Sequence, residues 1–412
     1  MLHTRRENVL FIDRVGYDWY RMPDGGPVLD PERYRVTLLT RPGLGDRARP
    51  GECAEVMTLD IGDDGLRDGI AEAVHRRVGL DRVLAFTEGL LLPVARLRDR
   101  LGIPGPSADS VVPFRDKSAM KAVARGGGLP VAEWAEVDTA AEALPLLAAH
   151  GRIVLKPRAG YGSAGLHIVS DEAELRALDA DRATDLTYSQ AEQFIDAPMV
   201  HIDAAVFQGR LHTVVPSRYL TSTLAFTEGR PLSTVTLDDP ELVARCVRFT
   251  EQVVEAFKVT DSVLHLEAFL TDDGRLVFSE VACRAGGSSI GAMVRSVTGV
   301  SIHEAMVRLA LGQAPTTAYP RRGAAAGMLL VYGRHGKVAR IDDDAVPRKW
   351  LVERRLAVEP GQWFRPAHMA GGGLATYVVT GATQREVRER LAFVEAHTTV
   401  EYAADEHDPE DV

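Results

Sequence analysis

Cysteine is nearly absent from this chain. Cys53, Cys246 and Cys283 are odd in number and widely scattered among 412 residues. That excludes a disulfide framework or a cysteine metal site and suits a reducing cytoplasm. Surplus positive charge is missing as well: the formal net charge is −10, which argues against a nucleic-acid binder that relies on bulk electrostatics. A small anionic ligand in a local cationic cleft remains compatible with it. No uninterrupted apolar run is long enough to span a bilayer, and the polar start Met1–Asn8 is followed by no secretion core. The chain has no internal repeats, no G-K-[ST] phosphate loop, no G-x-G-x-x-G after its first strand and no Met-Lys-Met biotin-attachment signature.

What is present is an ordinary globular composition, 45% hydrophobic and 26% charged, so disorder is not the default. The length exceeds one core and predicts two or three domains. Buried-strand patterns at Asn8–Asp13, Tyr34–Thr40 and Arg82–Phe86 alternate with helical spacing at Gly69–Val78 and Leu90–Leu101. That alternation predicts a parallel α/β domain over residues 1–106, closed by the break Gly102–Pro106. Over residues 107–315, helices are expected at Asp116–Arg125, Thr139–Ala149 with a Thr139 cap, Asp171–Leu178, Pro240–Phe257 and Ser301–Leu311. Strands are expected there at Tyr188–Phe194, Met199–Val206 and Leu211–Val215. Residues 316–412 predict a small β-rich domain, with strands at Ala324–Tyr332 and Leu374–Thr380, a helix at Gln384–Ala396 and a frayed acidic tail, Asp405–Val412.

Within the middle region, residues 153–169 join two short β-branched runs through a glycine-rich loop. Lys156 closes the first run, and Gly160, Tyr161, Gly162, Ser163 and Gly165 form the loop. Consecutive glycine N–H groups make an anion-binding concavity, and a neighbouring lysine adds a point charge for phosphate. No helix follows, so the unit reads as a hairpin flap; by itself it also reads as an ordinary flexible hairpin.

A second hairpin pattern holds two carboxylates. Ser262–Leu270 and Leu276–Val281 flank Thr271-Asp272-Asp273-Gly274-Arg275. With Asp273-Gly274 as a two-residue turn, Glu267 faces Glu280. With a four-residue turn, Glu280 faces His265 and Glu267 stays on the same face. An odd-numbered loop or a bulge would separate the two faces. Carboxylates directly opposite repel, and a divalent cation relieves them. Arg284 then leads into Ala285-Gly286-Gly287-Ser288-Ser289, where it suits a phosphate or a substrate carboxylate. In Gln190–Ile195 the backbone suits reading an adenine edge, with one acidic side chain toward the exocyclic amine. His201 and Asp203, alternating with Val200 and Ile202, suit a ribose; each also reads as a plain solvent-facing strand residue.

The ordered series Lys117, Lys156 with its flap, Glu192-Gln193-Phe194-Ile195, His201-Ile202-Asp203, Glu267, Glu280 and Arg284 resembles the ATP-grasp superfamily over roughly residues 107–312. The flanking regions resemble those of its carboxylate–amine ligases, including L-amino-acid (dipeptide) ligases. The resemblance implies an α+β fold with a central ATP-grasp domain built of antiparallel sheets. It implies that Lys117 and Lys156 meet ATP phosphates, that Gly160, Gly162 and Gly165 form the flap, and that Glu192, Gln193, Phe194 and Ile195 line adenine. His201 and Asp203 would meet the ribose edge, and Glu267 and Glu280 would hold Mg²⁺, with Mn²⁺ as the alternative ion. Arg284, Lys156, Gly286 and Gly287 would serve the chemistry. Many members carry an Asn metal ligand where this chain has Ala282, so the number of ions stays open. The implied reaction joins a small-molecule carboxylate to an amine through an acyl phosphate, in the cytoplasm, with neither nucleic acid nor membrane as partner and a homodimer as the assembly. A carboxylase acting on bicarbonate, a thiol or hydroxyl acceptor, and a non-catalytic nucleotide binder are the alternatives. His212, Arg218, Tyr219 and Ser288 are candidates for the acceptor pocket.

Overall fold

The structure, a computed structural model, describes residues 5–22, 24–181, 184–224, 229–317, 319–366 and 371–403. The acidic tail expected at Asp405–Val412 lies outside them. The first segment is the parallel α/β layer that its alternation predicts. Its sheet runs in the order Glu55–Thr58, Tyr34–Thr40, Glu7–Asp13, Arg82–Leu84, all parallel. Glu55–Thr58 escaped the sequence reading because it is short and only half buried. The helix expected from Gly69 begins earlier, as Asp64–Val78, because the Asp63 carboxylate accepts the Leu66 N–H and caps it. The second helix is Glu88–Leu101.

A second sheet of four antiparallel strands runs in the order Trp134–Val137, Ser189–Gln193, Ile153–Pro157, His167–Val169. Its last two strands pair Ile153 with Val169 and Leu155 with His167, so the glycine loop sits at a hairpin tip. Helices Ala140–His150 and Glu172–Ala180 cover it. Thr139 makes no side-chain cap, against expectation; Glu142 reaches back to the Asp138 N–H instead.

The largest sheet has eight antiparallel strands in the order Leu276–Ala282, Ser262–Leu270, Met199–Phe207, Arg210–Tyr219, Leu232–Thr236, Ala325–Val331, Ala375–Gly381, Leu351–Leu356. Leu232 pairs with Leu330, so hydrogen bonding runs on from the middle segment into the third. Helix Pro240–Ala256 buries Cys246, Phe249, Thr250, Val253 and Val254, three or four residues apart, against one face. Full burial of one such apolar side chain is worth about 1.5–3 kcal/mol. On the other face lies a helix the sequence did not announce, Ile290–Thr298, ahead of the expected one at Ile302–Ala310. It is buried nearly all round. Its polar residues, Arg295, Ser296 and Thr298, are few, and the Gly/Ser-rich run Gly286–Ser289 just before it reads as loop. These two helices share a core with Phe11, Tyr17 and Tyr20 of the first segment.

One buried carboxylate also ties the first two segments. Glu88 takes Arg115 on one oxygen and Arg284 on the other, and is 6% exposed. Burial pushes the Glu88 carboxyl up, but Arg284 and Arg115 outweigh it and hold the carboxyl below its ordinary value. Removing one partner of a buried ion pair costs about 3–5 kcal/mol. Glu88→Ala is expected to lose stability of that order in urea unfolding at pH 7. Because the folded value is depressed, the Glu88 contribution is present above the ordinary value of 4.5 and fades as pH falls through the folded value. The gap between wild type and Glu88→Ala should accordingly narrow below that pH; a gap independent of pH would contradict the assignment.

Candidate nucleotide and metal site

A cleft of about 730 Å³ opens between the small sheet with its hairpin tip and the large sheet. Glu267 and Glu280 stand at its floor, directly opposite each other. They arrive there by an unexpected route. The two-residue Asp273-Gly274 turn does not form: Leu270 pairs with Leu276, leaving residues 271–275 in the loop, closed by the Thr271 N–H donating to Arg275 O at 3.0 Å. An odd loop alone would move the two acids to opposite faces. The register then shifts between Glu267 and Ala268, with Ser279 as the extra residue. The bulge compensates for the odd loop.

Each carboxylate has neighbours on this chain. Tyr219 Oη donates to Glu267 at 2.8 Å, and His265 Nε2 lies 3.6 Å from it. Burial alone would raise the Glu267 carboxyl, but the His265 contact and charge, with the Tyr219 hydrogen bond, bring it down to about 2. Glu280 lies 3.5 Å from Lys117 Nζ.

Behind the floor, Asp203 lies between His201 Nδ1 at 2.8 Å and His265 Nδ1 at 2.9 Å, and His201 Nε2 meets Thr234 Oγ1 at 2.7 Å. Burial opposes the charge on His265, but Asp203 outweighs it and raises the imidazole to about 9. His201 is 0% exposed and Asp203 1%, and neither lines the cleft. This corrects the ribose expectation. Met199–Phe207 is a central strand covered on both faces, so its alternating polar residues point into the interior as its apolar ones do.

Lys117 and Lys156 both reach the cleft. Lys117 heads a helix capped by the Asp116 carboxylate, which accepts the Ser118 and Ala119 N–H groups. Its ammonium donates to the Gly160 carbonyl at 2.6 Å, at the root of the flap. Gly160, Tyr161, Gly162 and Ser163 line the cleft; Gly165 does not. Gly165 instead lets the hairpin close: its φ is +68°, and a Cβ there would meet Pro157 Cγ at 3.0 Å.

On the remaining wall, Gln193, Phe194 and Ile195 line the cleft, with the Arg152 guanidinium 3.9 Å from the Phe194 ring centroid. Glu192 lines it too, but its side chain is not free to face an amine. One oxygen meets Lys121 Nζ at 2.7 Å, and the other meets Lys156 Nζ at 2.7 Å. Burial would raise the Glu192 carboxyl, but the two lysines hold it at about 2. Lys121 went unnoticed in the sequence, although it follows Lys117 by one helical turn and so shares its face. Glu88 had no local signal at all, since only the tertiary fold brings it to Arg115 and Arg284.

Arg284 faces the cleft and donates to its neighbour's carbonyl, Ala285 O, at 2.6 Å, while Glu88 fixes the guanidinium from behind. Gly287 and Ser288 line the cleft with it, as does Tyr219, whereas His212 and Arg218 do not. Burial pushes the Cys283 thiol up to about 12, which disfavours the thiolate that a nucleophile needs. Gly286 lies beneath the cleft surface. A Cβ there would meet Asp203 Oδ1 at 2.7 Å and His265 Nδ1 at 2.9 Å, so the loop lies directly on the buried acid–histidine cluster.

A family profile described as the ATP-grasp N-terminal domain matches residues 34–105. Over 332 residues the chain is 24% identical to an L-arginine-specific L-amino acid ligase of Bacillus subtilis, covering 76% of this chain and 78% of that protein. The solved L-amino acid ligase of Bacillus licheniformis superposes with a TM-score of 0.76 at 19% identity, covering 97% of this chain and all 100% of the other. The biotin carboxylase domain of the 2-oxoglutarate carboxylase of Hydrogenobacter thermophilus, solved with MgADP, ADP and bicarbonate, superposes with a TM-score of 0.70 at 16% identity, covering 97% of this chain and 92% of that one.

Gly286→Ala is expected to overpack the Asp203–His265 contact and cost about 1–3 kcal/mol in urea unfolding. Stability equal to wild type would show that the loop does not bear on the cluster.

Proposed function

The chain has the ATP-grasp fold, and from that premise we propose that it is an ATP-dependent carboxylate–amine ligase acting on small amino acids or a peptide-like metabolite. The observation that carries the reading is the convergence on one cleft of Lys117, Lys156, the glycine hairpin tip, the facing pair Glu267/Glu280 and Arg284. Among the described residues no helix is long and apolar enough to cross a membrane.

The donor set fits magnesium. Two carboxylates held opposite each other on neighbouring strands repel. Mg²⁺ prefers one or two carboxylates completed by substrate phosphates and water. Glu267 and Glu280 would hold the ion, which when bound neutralises phosphate charge. Mn²⁺ is the alternative ion for the same donors.

In the first half-reaction, Lys117 and Lys156 hold the ATP phosphates, and the hairpin tip covers them and excludes water. A substrate carboxylate oxygen attacks the γ-phosphorus, and the bond to the β–γ bridging oxygen breaks, releasing ADP. In the second, an amine nitrogen attacks the acyl carbon, phosphate leaves with the bonding pair, and the amine loses its proton. Arg284, steadied by Glu88, is charged throughout and faces the point where the acyl phosphate forms. Positioning and fixed charge supply the catalysis, and no side-chain nucleophile is required.

The deciding experiment is a screen of amino-acid pairs for ADP release with the product identified by mass. Bicarbonate, thiol and alcohol substrates in the same screen separate the other ligase classes. An amide product supports the reading, whereas nucleotide binding without turnover on any pair would leave a nucleotide-binding protein.

Lys156→Ala and Lys117→Ala should each weaken ATP binding by about 1.5–3 kcal/mol, the range of one charge-assisted hydrogen bond. Lys117→Ala should in addition speed hydrogen exchange across residues 160–165, because its contact with Gly160 O is lost. Unchanged affinity in both variants would remove the phosphate assignment. Glu280→Gln should fold but lose the rise in melting temperature that Mg²⁺-ATP gives the wild type; a full rise would put the metal elsewhere.

A further inference from the structure

Lys121, Glu192 and Lys156 form a buried row of two cations and one anion. The Lys121 side chain is 1% exposed and does not line the cleft; Glu192 and Lys156 do, and the Lys156 side chain is 12% exposed. Glu192 also accepts a hydrogen bond from Gln190 Nε2 at 3.1 Å, and Gln190 is itself fixed by Ser118 Oγ at 3.0 Å. Each carboxylate oxygen therefore has a lysine, and only one of those lysines can reach a ligand.

Building on the nucleotide reading above, we propose that Lys121 is a positioning residue that neutralises Glu192, so that Lys156 is released to bind a phosphate. A carboxylate at the phosphate end of a cleft is a liability. It repels the ligand, and it competes with the ligand for the nearest ammonium. With both lysines present, the row carries one positive charge in excess. When Lys156 turns to a phosphate, Glu192 keeps Lys121 and Gln190 and is never a lone buried charge. With Lys121 removed, the row is neutral, and an incoming phosphate must strip Glu192 of its remaining cation, which is costly in a buried site. Lys121 touches no ligand in this scheme and acts only through Glu192.

Calorimetric titration of the full chain with ADP, with and without Mg²⁺, tests it on the wild type, Lys121→Met, Lys121→Arg, Glu192→Gln and the double variant Lys121→Met/Glu192→Gln. Lys121→Met should weaken ADP binding by at least about tenfold, with Lys121→Arg close to wild type. The double variant should recover to within about threefold of wild type, because no carboxylate is left to hold Lys156 back. A purely structural role for Lys121 predicts no such rescue. Equal affinity in Lys121→Met, or a double variant as weak as Lys121→Met, would overturn the proposal. Should Lys121→Met fail to fold, Lys121→Gln takes its place: it should lose ADP affinity by the same order, and wild-type affinity overturns the proposal. Wild-type protein that binds no nucleotide would instead overturn the functional reading on which this rests.

Discussion

Glu267 and Glu280 stand face to face on neighbouring strands, and like charges so placed repel unless something close by answers them. Much of the surrounding structure is that answer. Tyr219 and His265 attend one carboxylate, and Lys117 attends the other. His265 is held by Asp203, Asp203 by His201, and His201 by Thr234, so a chain of buried hydrogen bonds backs the floor of the cleft. Gly286 then has to be a glycine, because its loop rests on that chain without room for a side chain.

The same arithmetic of buried charge recurs at two other points. Glu88 answers Arg115 and Arg284, which fastens the first segment to the cleft from outside it. Glu192 answers Lys121 and Lys156, which leaves that row with one positive charge in excess although the whole chain carries a net charge of −10. Net charge describes solubility and long-range steering; it says little about a cleft whose charges are paired at hydrogen-bond distance. An acidic protein can in this way present a site for a polyanion.

The three segments meet through more than ion pairs. The eight-stranded sheet carries strands of the second and third segments side by side, and the first packs on the helices laid across it. The hairpin tip over the cleft is fastened more lightly, through Lys117 to the Gly160 carbonyl and Arg115 to the Ala159 carbonyl at 2.7 Å. Contacts from charged side chains to backbone carbonyls of this kind are exchangeable for contacts to phosphate, which suits a cover that closes on its ligand.

Local patterns determined a large part of this protein. Alternation of apolar runs and helical spacing was enough for three of the four parallel strands in residues 7–101, and not for the short strand Glu55–Thr58. The spacing of Cys246, Phe249, Val253 and Val254 was enough for the long helix. The order of lysines, glycines and glutamates named residues that the fold brings to one cleft, among them Lys117, Lys156, Gly160, Gly162, Glu267 and Glu280. What the tertiary structure alone decided concerns partners far apart in the chain. An odd loop and a bulge each defeat period-two reasoning, and only their combination returns Glu280 to Glu267. His201 and Asp203 read as ribose contacts or as solvent-facing strand residues until a sheet covered on both faces turns them inward. Ile290–Thr298 is only nine residues long and follows a glycine-serine run that reads as loop, and Glu88 meets Arg284 across 196 positions. A charge shows its sign in the sequence, but its partner is fixed by burial, and burial is a property of the assembled fold.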